Sequence, residues 1–348
     1  MKGESMKIKI AVLGTGAIGS SVGADLTKAG LDVTLIDQWP QHVEIMKKNG
    51  LRIRMPDEDL RIPVHAFHLC ELASINQEFD VVLLTAKSND SRWMVELIKP
   101  YLSKEGVLVG LQNSMNDDSN ASIVGRERTM GCVVELSAEI FDPGIVQRNT
   151  ARTKTWFAVG ELNGSVTTRA REVREMLSNV GRVDFANNIY GAKWTKLIVN
   201  SMTMGPLSLL GLRVWEATEQ QGMFEIAMKL GKESLAVGMA LGYRIEPVFG
   251  LRTDELAGSS DAVLAKAMIT MRSHRSTQAR TAAIHDHLKG RRSEIGFING
   301  LVVRKGREVG VPTPYNEAVM EMDQEINKGL LNMERSNLEL LKERIGMA

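Results

Sequence analysis

The 348-residue chain has the composition of a globular protein, with 43% apolar residues, 24% charged residues and a formal net charge of +1. A net charge this close to zero gives no reason to expect nucleic acid or an anionic membrane as a partner. The two cysteines, Cys70 and Cys132, are too few for a disulfide framework, and no apolar run approaches the ~18 residues of a membrane-spanning helix. We therefore expect a cytoplasmic protein in a reducing compartment.

Short β-rich runs alternate with helical stretches in the first part of the chain. Strands are predicted at Ile8–Leu13, Asp32–Ile36, Asp80–Leu84 and Val107–Leu111, and helices at Ala17–Ala29 and Ser91–Leu102. Strands that alternate with helices form right-handed βαβ units, in which the strands pair in parallel. The pattern therefore predicts a mainly parallel sheet.

Three glycines stand between the first predicted strand and the first predicted helix, in the stretch GTGAIG. In a dinucleotide-binding loop Gly14 would make the tight turn, Gly16 would let a pyrophosphate approach the backbone, and Gly19 would let helix and strand pack closely. Ala17 and Ile18 would open the helix, whose N-terminal N–H groups and dipole favour phosphate. The loop predicts a nicotinamide or flavin dinucleotide; the alternative is an ordinary glycine turn.

Asp37 ends the second predicted strand, where an acidic residue would hold the hydroxyls of the adenosine ribose. A 2′-phosphate at that place would meet a like charge, and Gln38 follows with no arginine beside it. The pattern therefore favours NAD over NADP. The alternative interpretation is that Asp37 only caps the loop before Trp39.

The pattern changes twice further along the chain. Residues 130–160 predict a cluster of strands, with antiparallel pairing as one arrangement, that completes the sheet. From residue 188 to about residue 343, leucine, methionine and alanine recur at helical spacing. We therefore predict an α/β fold class, with a Rossmann dinucleotide-binding domain over residues 6–187 and an all-helical substrate and catalytic domain over residues 188–345.

Lys196 and Asn200 stand four residues apart in the stretch WTKLIVN, so a helix would place them on one face. The residues between them, Leu197, Ile198 and Val199, are apolar. A lysine on such a helix can extend its ammonium to water, or it can stand in a cleft as a proton donor. These residues alone leave both interpretations open.

Five short stretches carry more specific information than the glycines alone. They are GTGAIGS, DVVLLTAK with Lys87, LQNSMN with Asn113, WTKLIVN with Lys196 and Asn200, and RRSEIGFINGLVV with Glu294 and Asn299. On these stretches, and over nearly its whole length, the chain resembles the ketopantoate reductase (2-dehydropantoate 2-reductase) family. The resemblance implies an N-terminal Rossmann domain, a helical C-terminal domain and hydride transfer with a nicotinamide cofactor.

The resemblance also implies roles for individual residues. Lys196 would be the general acid, and Asn200 would bind the substrate. Lys87 and Asn113 would lie beside the nicotinamide half of the cofactor, with Asn113 also helping to hold the substrate. Glu294 would lie near the nicotinamide ribose and help to set the protonation state of the lysine.

Three positions depart from the pattern of the family. Ser114 stands where the family typically has glycine, Met204 where an asparagine is common, and Ala282 where a serine usually contacts the substrate carboxylate. Met204 and Ala282 cannot make the hydrogen bonds expected for pantoate, and each such loss costs about 1.5–3 kcal/mol. We therefore predict that the chemistry is retained and that the substrate differs.

The arginine-rich stretch between residues 272 and 307 is most simply a set of solvated helix faces. One of its members, Arg275, Arg280 or Arg292, is a candidate to bind an anionic substrate in place of the lost serine. The six histidines show no zinc-ligand spacing, so no metal site is predicted.

These observations predict an NAD-dependent oxidoreductase, with NADP less favoured, that moves a hydride between nicotinamide and C2 of a 2-oxo or 2-hydroxy acid. A homodimer is one possible assembly. A β-hydroxyacid dehydrogenase is a close alternative, although its D-x-P-V-S-G-G signature is absent. A catalytically silent NAD sensor is a second alternative, against which Lys196 and Glu294 argue.

Overall fold

The computed structural model describes residues 8–247, 260–273 and 279–347. The chain divides into two compact units, one formed by Met1–Gln112 and Asn116–Ile189 and the other by Asn113–Met115 and Tyr190–Ala348. The three-residue segment Asn113–Met115 therefore belongs with the second unit, although residues of the first unit precede and follow it.

The secondary structure alternates in the first unit and is helical in the second. The strands are β1 Lys9–Leu13, β2 Asp32–Asp37, β3 Leu51–Arg54, β4 Asp59–Ile62, β5 His65–His68, β6 Phe79–Leu84, β7 Leu102–Gly110, β8 Thr129–Glu135, β9 Ala138–Glu139, β10 Ile145–Arg148, β11 Trp156–Glu161 and β12 Arg182–Phe185. The helices are α1 Ala17–Lys28, α2 Pro40–Asn49, α3 Ser91–Ile98, α4 Asp117–Val124, α5 Thr168–Leu177, α6 Ile189–Leu209, α7 Val214–Thr218, α8 Met223–Ala240, α9 Ser260–Ser273, α10 Ala282–Leu288, α11 Asn299–Val309, α12 Pro314–Asn327 and α13 Asn337–Arg344.

An eight-stranded sheet, in the order β12-β11-β8-β7-β6-β1-β2-β5, forms the centre of the first unit. β1 pairs in parallel with β2 on one side and with β6 on the other. β11 runs antiparallel to β8, as the strand cluster after residue 130 allowed. The inner strands are apolar and buried on both faces, as parallel strands covered by helices are. The predicted α/β fold class with a mainly parallel sheet is confirmed.

A second sheet of four short strands, in the order β4-β3-β10-β9, was not predicted. The prediction that the strands of residues 130–160 all complete the first sheet is therefore wrong for β9 and β10, and it holds for β8 and β11. β3 and β4 are four residues each, with the sequences LRIR and DLRI, in which apolar and charged side chains alternate as in a strand with one buried face. β4 pairs antiparallel with β3, and β10, about 90 residues further along the chain, pairs in parallel with the other edge of β3. A pairing of such short strands over that separation has no local signal in the sequence.

All of the regular secondary structure in the described residues of the second unit is helical, as predicted for the C-terminal half. Its core is formed by apolar residues of α6 to α13, with most of them on α6 and α8. The longest helix, α6, carries Lys196 and Asn200 and contains Pro206 near its end. Among the residues that the structure describes, no helix combines the length and the apolar character needed to cross a membrane.

A buried ion pair fixes α1, the helix that follows the glycine loop. Asp25 of α1 accepts a hydrogen bond of 2.6 Å from Nη1 of Arg148, and both side chains are almost completely buried. Arg152 binds the other oxygen of Asp25 and also contacts Glu58. The remaining donors of Arg148 bind Thr150 O, Thr155 Oγ1 and Val180 O. Each nitrogen of this buried guanidinium therefore donates to a fixed acceptor around α1.

Candidate active site

The glycine loop between β1 and α1 has the backbone that a dinucleotide requires. Gly14 has a φ of +90°, and a Cβ there would lie 2.6 Å from the backbone N and Cα of Ala86. A Cβ at Gly19 would overlap Gly14 O and Thr85 Oγ1. A Cβ at Gly16, in contrast, would have no atom within 4 Å. Gly14 and Gly19 are thus required for close packing, while the backbone of Gly16 faces open space where a pyrophosphate fits.

The first turn of α1 is open to an anion. Gly16 is the N-cap, no side chain caps the helix there, and the first turn contains no acidic residue. Ala17 and Ile18 follow as half-buried residues. The backbone N–H groups at this end therefore offer hydrogen bonds and the positive end of the helix dipole to a phosphate. The loop fits the predicted dinucleotide.

His42 of α2 forms a hydrogen bond with the glycine loop. It was not predicted as a site residue. Its ring is fully buried, and its Nε2 lies 3.0 Å from the carbonyl oxygen of Thr15 in the loop. Ser20 Oγ donates to the same carbonyl at 2.7 Å. The backbone N–H of Gly144 donates to Nδ1, so the proton of the neutral ring resides on Nε2 and points at Thr15. Only the folded chain brings these groups together, so no sequence motif marks His42.

Asp37 lies at the carboxyl end of β2 and is 6% exposed. Its Oδ1 accepts a hydrogen bond of 2.8 Å from the backbone N–H of Trp39, so the capping interpretation describes one of its two oxygens. Within the described residues, Oδ2 accepts no hydrogen bond and is available to a ligand. Capping and ribose binding are therefore compatible at this carboxylate.

Lys87 lies in the turn after β6 and is half-buried. Two residues earlier, Thr85 Oγ1 donates to Gly14 O at 2.7 Å, and Ala86 packs against Gly14. The strand that leads to Lys87 is thus in direct contact with the glycine loop. This position is suited to an ammonium that meets a bound dinucleotide.

Asn113 and Asn200 are brought together in the helical unit. Nδ2 of Asn200 donates a 3.0 Å hydrogen bond to Oδ1 of Asn113. Asn200 is 2% exposed, whereas Asn113 is half-buried. Lys196 lies one turn before Asn200 on α6 and is also half-buried. Lys196 and Asn200 therefore lie on one face of α6, and Asn113 is bonded to Asn200. An ammonium and amides in such a group can bind and protonate an oxygen of a small substrate.

Ser114, which stands where the family typically has glycine, has a left-handed backbone. Its φ is +71°, and no other non-glycine residue among those described has a positive φ. Its Oγ donates a short hydrogen bond to the carbonyl oxygen of Phe297. The serine thus bears the steric cost of this conformation and ties the segment beside Asn113 to the turn that follows Glu294.

Replacing Ser114 should separate these two effects. Ser114→Ala removes the hydrogen bond and keeps the strained φ, so we expect the free energy of unfolding to fall by about 1–2 kcal/mol. Ser114→Gly removes the same bond but relieves strain of about 1 kcal/mol, so it should be nearly neutral. Urea denaturation of both variants measures the difference, and equal losses would contradict a strained serine.

Glu294 is 4% exposed and begins a short 3₁₀ turn, Ile295–Phe297, just before α11. The preceding residue, Ser293, donates through Oγ to both oxygens of the buried Asp323. The same carboxylate lies 2.9 Å from His287 Nε2 and accepts a hydrogen bond from Asn327. A buried carboxylate with three donors therefore anchors the chain at the residue before Glu294.

Asn299 has a structural position in the helical unit. Its Nδ2 donates to Ser201 O on α6 at 3.0 Å and to Asn316 Oδ1 at 2.9 Å. Asn316 in turn donates to Glu233, which also accepts the backbone N–H of Tyr315 at the start of α12. Burial raises the pKa of Glu233, and these donors oppose that rise. This network joins α6, at the residue after Asn200, to α8, α11 and α12.

The departures from the family pattern lie in different surroundings. Met204 is 3% exposed and packs in the helical core, while Ala282 is half-buried at the first position of α10.

Arg280 is half-buried and forms no ion pair or hydrogen bond with the described residues, and Arg292 is exposed. Arg275 lies outside the described residues. Arg280 is thus better suited than Arg292 to an anionic ligand.

Comparison with known proteins gives consistent matches over both units. The model of the family described as ketopantoate reductase PanE/ApbA matches residues 10–163, and the model of its C-terminal part matches residues 188–327. The 2-dehydropantoate 2-reductase of Archaeoglobus fulgidus is 25% identical over 324 residues, which cover 92% of this chain and 99% of that protein.

Two solved structures share the fold over 93% of this chain and 99% of their own. A PanE/ApbA family ketopantoate reductase from Ralstonia eutropha has a TM-score of 0.78 at 25% identity. A D-mandelate dehydrogenase, in a ternary complex with NADH and anilino(oxo)acetate, has a TM-score of 0.82 at 22% identity. The predicted resemblance is confirmed, and the chain belongs to the ketopantoate reductase family of oxidoreductases.

Proposed function

We propose that the chain is an NAD(H)-dependent oxidoreductase that moves a hydride between C4 of nicotinamide and C2 of a 2-oxo or 2-hydroxy acid. The observation that carries this proposal is the group formed by Lys196, Asn200 and Asn113, an ammonium one turn from two hydrogen-bonded amides. Such a group binds a carbonyl oxygen and protonates it as negative charge develops there.

The proposed roles divide between the two parts of the chain. Residues 6–187 would hold the dinucleotide through the glycine loop and Asp37, with Lys87 toward the nicotinamide half. Residues 188–345 would hold the substrate, with Lys196 as general acid and Glu294 close enough to influence its protonation. When bound, the nicotinamide supplies or accepts the hydride.

The substrate is proposed to be a 2-oxo acid with a bulkier or more apolar side chain than ketopantoate. Met204 and Ala282 support this, because neither side chain can make the hydrogen bonds of the asparagine and the serine that the family has at these positions. The fold also accommodates anilino(oxo)acetate in the D-mandelate dehydrogenase complex, which provides a precedent for such a substrate.

NADH oxidation with a panel of 2-oxo acids tests the proposal. We expect aromatic or branched 2-oxo acids to exceed ketopantoate in kcat/KM, and ketopantoate to remain below about 10⁴ M⁻¹s⁻¹. A ketopantoate value above this range would show that the departures are neutral. NADH binding without turnover of any 2-oxo acid would instead favour the NAD sensor.

A homodimer in the cytoplasm stays part of the proposal, and light scattering tests the assembly.

Asp37 should make the protein prefer NADH to NADPH by at least about tenfold in affinity, which is roughly 1.4 kcal/mol. The physical reason is the negative charge at the end of β2, which would repel a 2′-phosphate. Fluorescence titration with both dinucleotides measures the ratio of NADH affinity to NADPH affinity. Asp37→Asn should lower this ratio. If the unmodified protein bound NADPH as tightly as NADH, or more tightly, the prediction would be wrong.

A further inference from the structure

Gln38, directly after Asp37, reaches across the carboxyl edge of the sheet. Its Nε2 donates a 3.1 Å hydrogen bond to Oδ2 of Asp90, in the turn that follows β6. β2 and β6 flank β1 and both run parallel to it, so their carboxyl ends and the glycine loop lie at one edge. Ligands of such sheets bind at this edge. The hydrogen bond therefore places Asp90 beside the position proposed for the adenosine ribose.

Asp90 is held in place by neutral donors alone. Its Oδ1 accepts a 3.0 Å hydrogen bond from Nε1 of Trp93, and its Oδ2 accepts the bond from Gln38. Among the residues described by the structure, no lysine or arginine forms an ion pair with it. It is also the N-cap of α3, whose dipole favours a negative charge. The carboxylate is thus fixed, and its charge is not neutralised by a paired cation.

We propose that Asp90, positioned by Gln38 and Trp93, is a second specificity-determining carboxylate that excludes a 2′-phosphorylated dinucleotide. The inference rests on the proposed dinucleotide function and extends it from Asp37 to a residue on a different strand connection. Two carboxylates on either side of Gln38 repel a phosphate more than one does. One of the two N–H groups of Gln38 Nε2 is also engaged by Asp90 and is not free to bind a phosphate.

This arrangement has a non-additive consequence. An arginine at position 38 would ordinarily provide a guanidinium for the 2′-phosphate, as NADP-binding proteins do. Here the new guanidinium would stand within reach of Asp90 and form a charge-assisted pair with it. Gln38→Arg should therefore gain little NADPH affinity until Asp90 is neutralised.

The experiment compares the unmodified protein with Gln38→Arg, Asp90→Asn and the double variant. Each is titrated with NADH, NADPH and adenosine 2′,5′-bisphosphate by calorimetry, and its melting temperature confirms the fold. The matched control is Asp32→Asn, which removes an exposed carboxylate at the opposite end of β2. It changes the net charge equally and should leave all three affinities within about twofold.

We expect Asp90→Asn to raise NADPH affinity about threefold to tenfold and to leave NADH affinity nearly unchanged. Gln38→Arg should raise NADPH affinity by some factor in the unmodified protein and by a larger factor in the Asp90→Asn variant. The second factor should exceed the first at least about fivefold. An unchanged NADPH-to-NADH ratio in Asp90→Asn, or additive effects in the double variant, would overturn the inference. If the unmodified protein binds NADH but turns over no 2-oxo acid, the proposed function is overturned, and this binding test remains valid. Failure of the unmodified protein to bind either dinucleotide would overturn both.

Discussion

Replacing Lys196 with alanine is expected to lower kcat by about 10²–10⁴-fold while NADH affinity changes little. The ammonium would do two things as hydride reaches the carbonyl carbon: it would stabilise the negative charge on oxygen and supply the proton. Both interactions are stronger in the transition state than in the ground state, so their loss appears in kcat. The dinucleotide loop belongs to the other compact unit, which is why NADH binding should persist.

The competing interpretation is that Lys196 only extends its ammonium from an apolar helix to water. In that case the alanine variant would lose some stability and almost no turnover. Measuring kcat, NADH affinity and melting temperature on one preparation separates the two. Lys232→Ala is the control, because Lys232 is an exposed lysine of the same unit paired with Asp261. A decrease in kcat smaller than about tenfold, with the fold intact, would count against Lys196 as the acid.

The first unit could be predicted where the signal is local. A strand, a glycine loop, a helix and an acid at the end of the next strand follow one another within thirty residues, and each has its own pattern. The boundaries were less accurate. The helix predicted over Ser91–Leu102 ends at Ile98, because Pro100 lacks the amide hydrogen that would continue the helical hydrogen bonds.

The groups that hold the site in place could not be predicted, because they depend on contacts distant in sequence. His42 contacts the glycine loop from another helix, and Asp323 anchors the residue before Glu294 from thirty residues away. Neither has a spacing or a residue type that marks it. Asn113 followed a strand pattern, yet it packs with the helical unit and meets Asn200 there. Family resemblance named the residues that would react, and the fold shows how their neighbours position them.

Arg148 gives the second large expected effect, on stability. Sequence patterns mark it as one polar residue in a short strand, but its side chain is completely buried. Arg148→Met should lower the free energy of unfolding by about 3–5 kcal/mol, because removing one partner leaves the charge of Asp25 buried and only partly compensated by Arg152. Thr155 Oγ1 and Val180 O lose their donor as well.

A second substitution in the Arg148→Met variant tests whether the ion pair itself is responsible. Asp25→Leu in the Arg148→Met background removes the buried charge that the single change leaves behind, so the double variant should recover part of the lost stability. Arg182→Ala is the matched control, since Arg182 forms an exposed pair with Asp184 that should contribute at most about 1 kcal/mol. Urea denaturation, followed together with NADH titration, reports both the stability and the integrity of the glycine loop on α1. A loss below about 1 kcal/mol in Arg148→Met would show that water or Arg152 compensates Asp25 and that α1 does not depend on this pair.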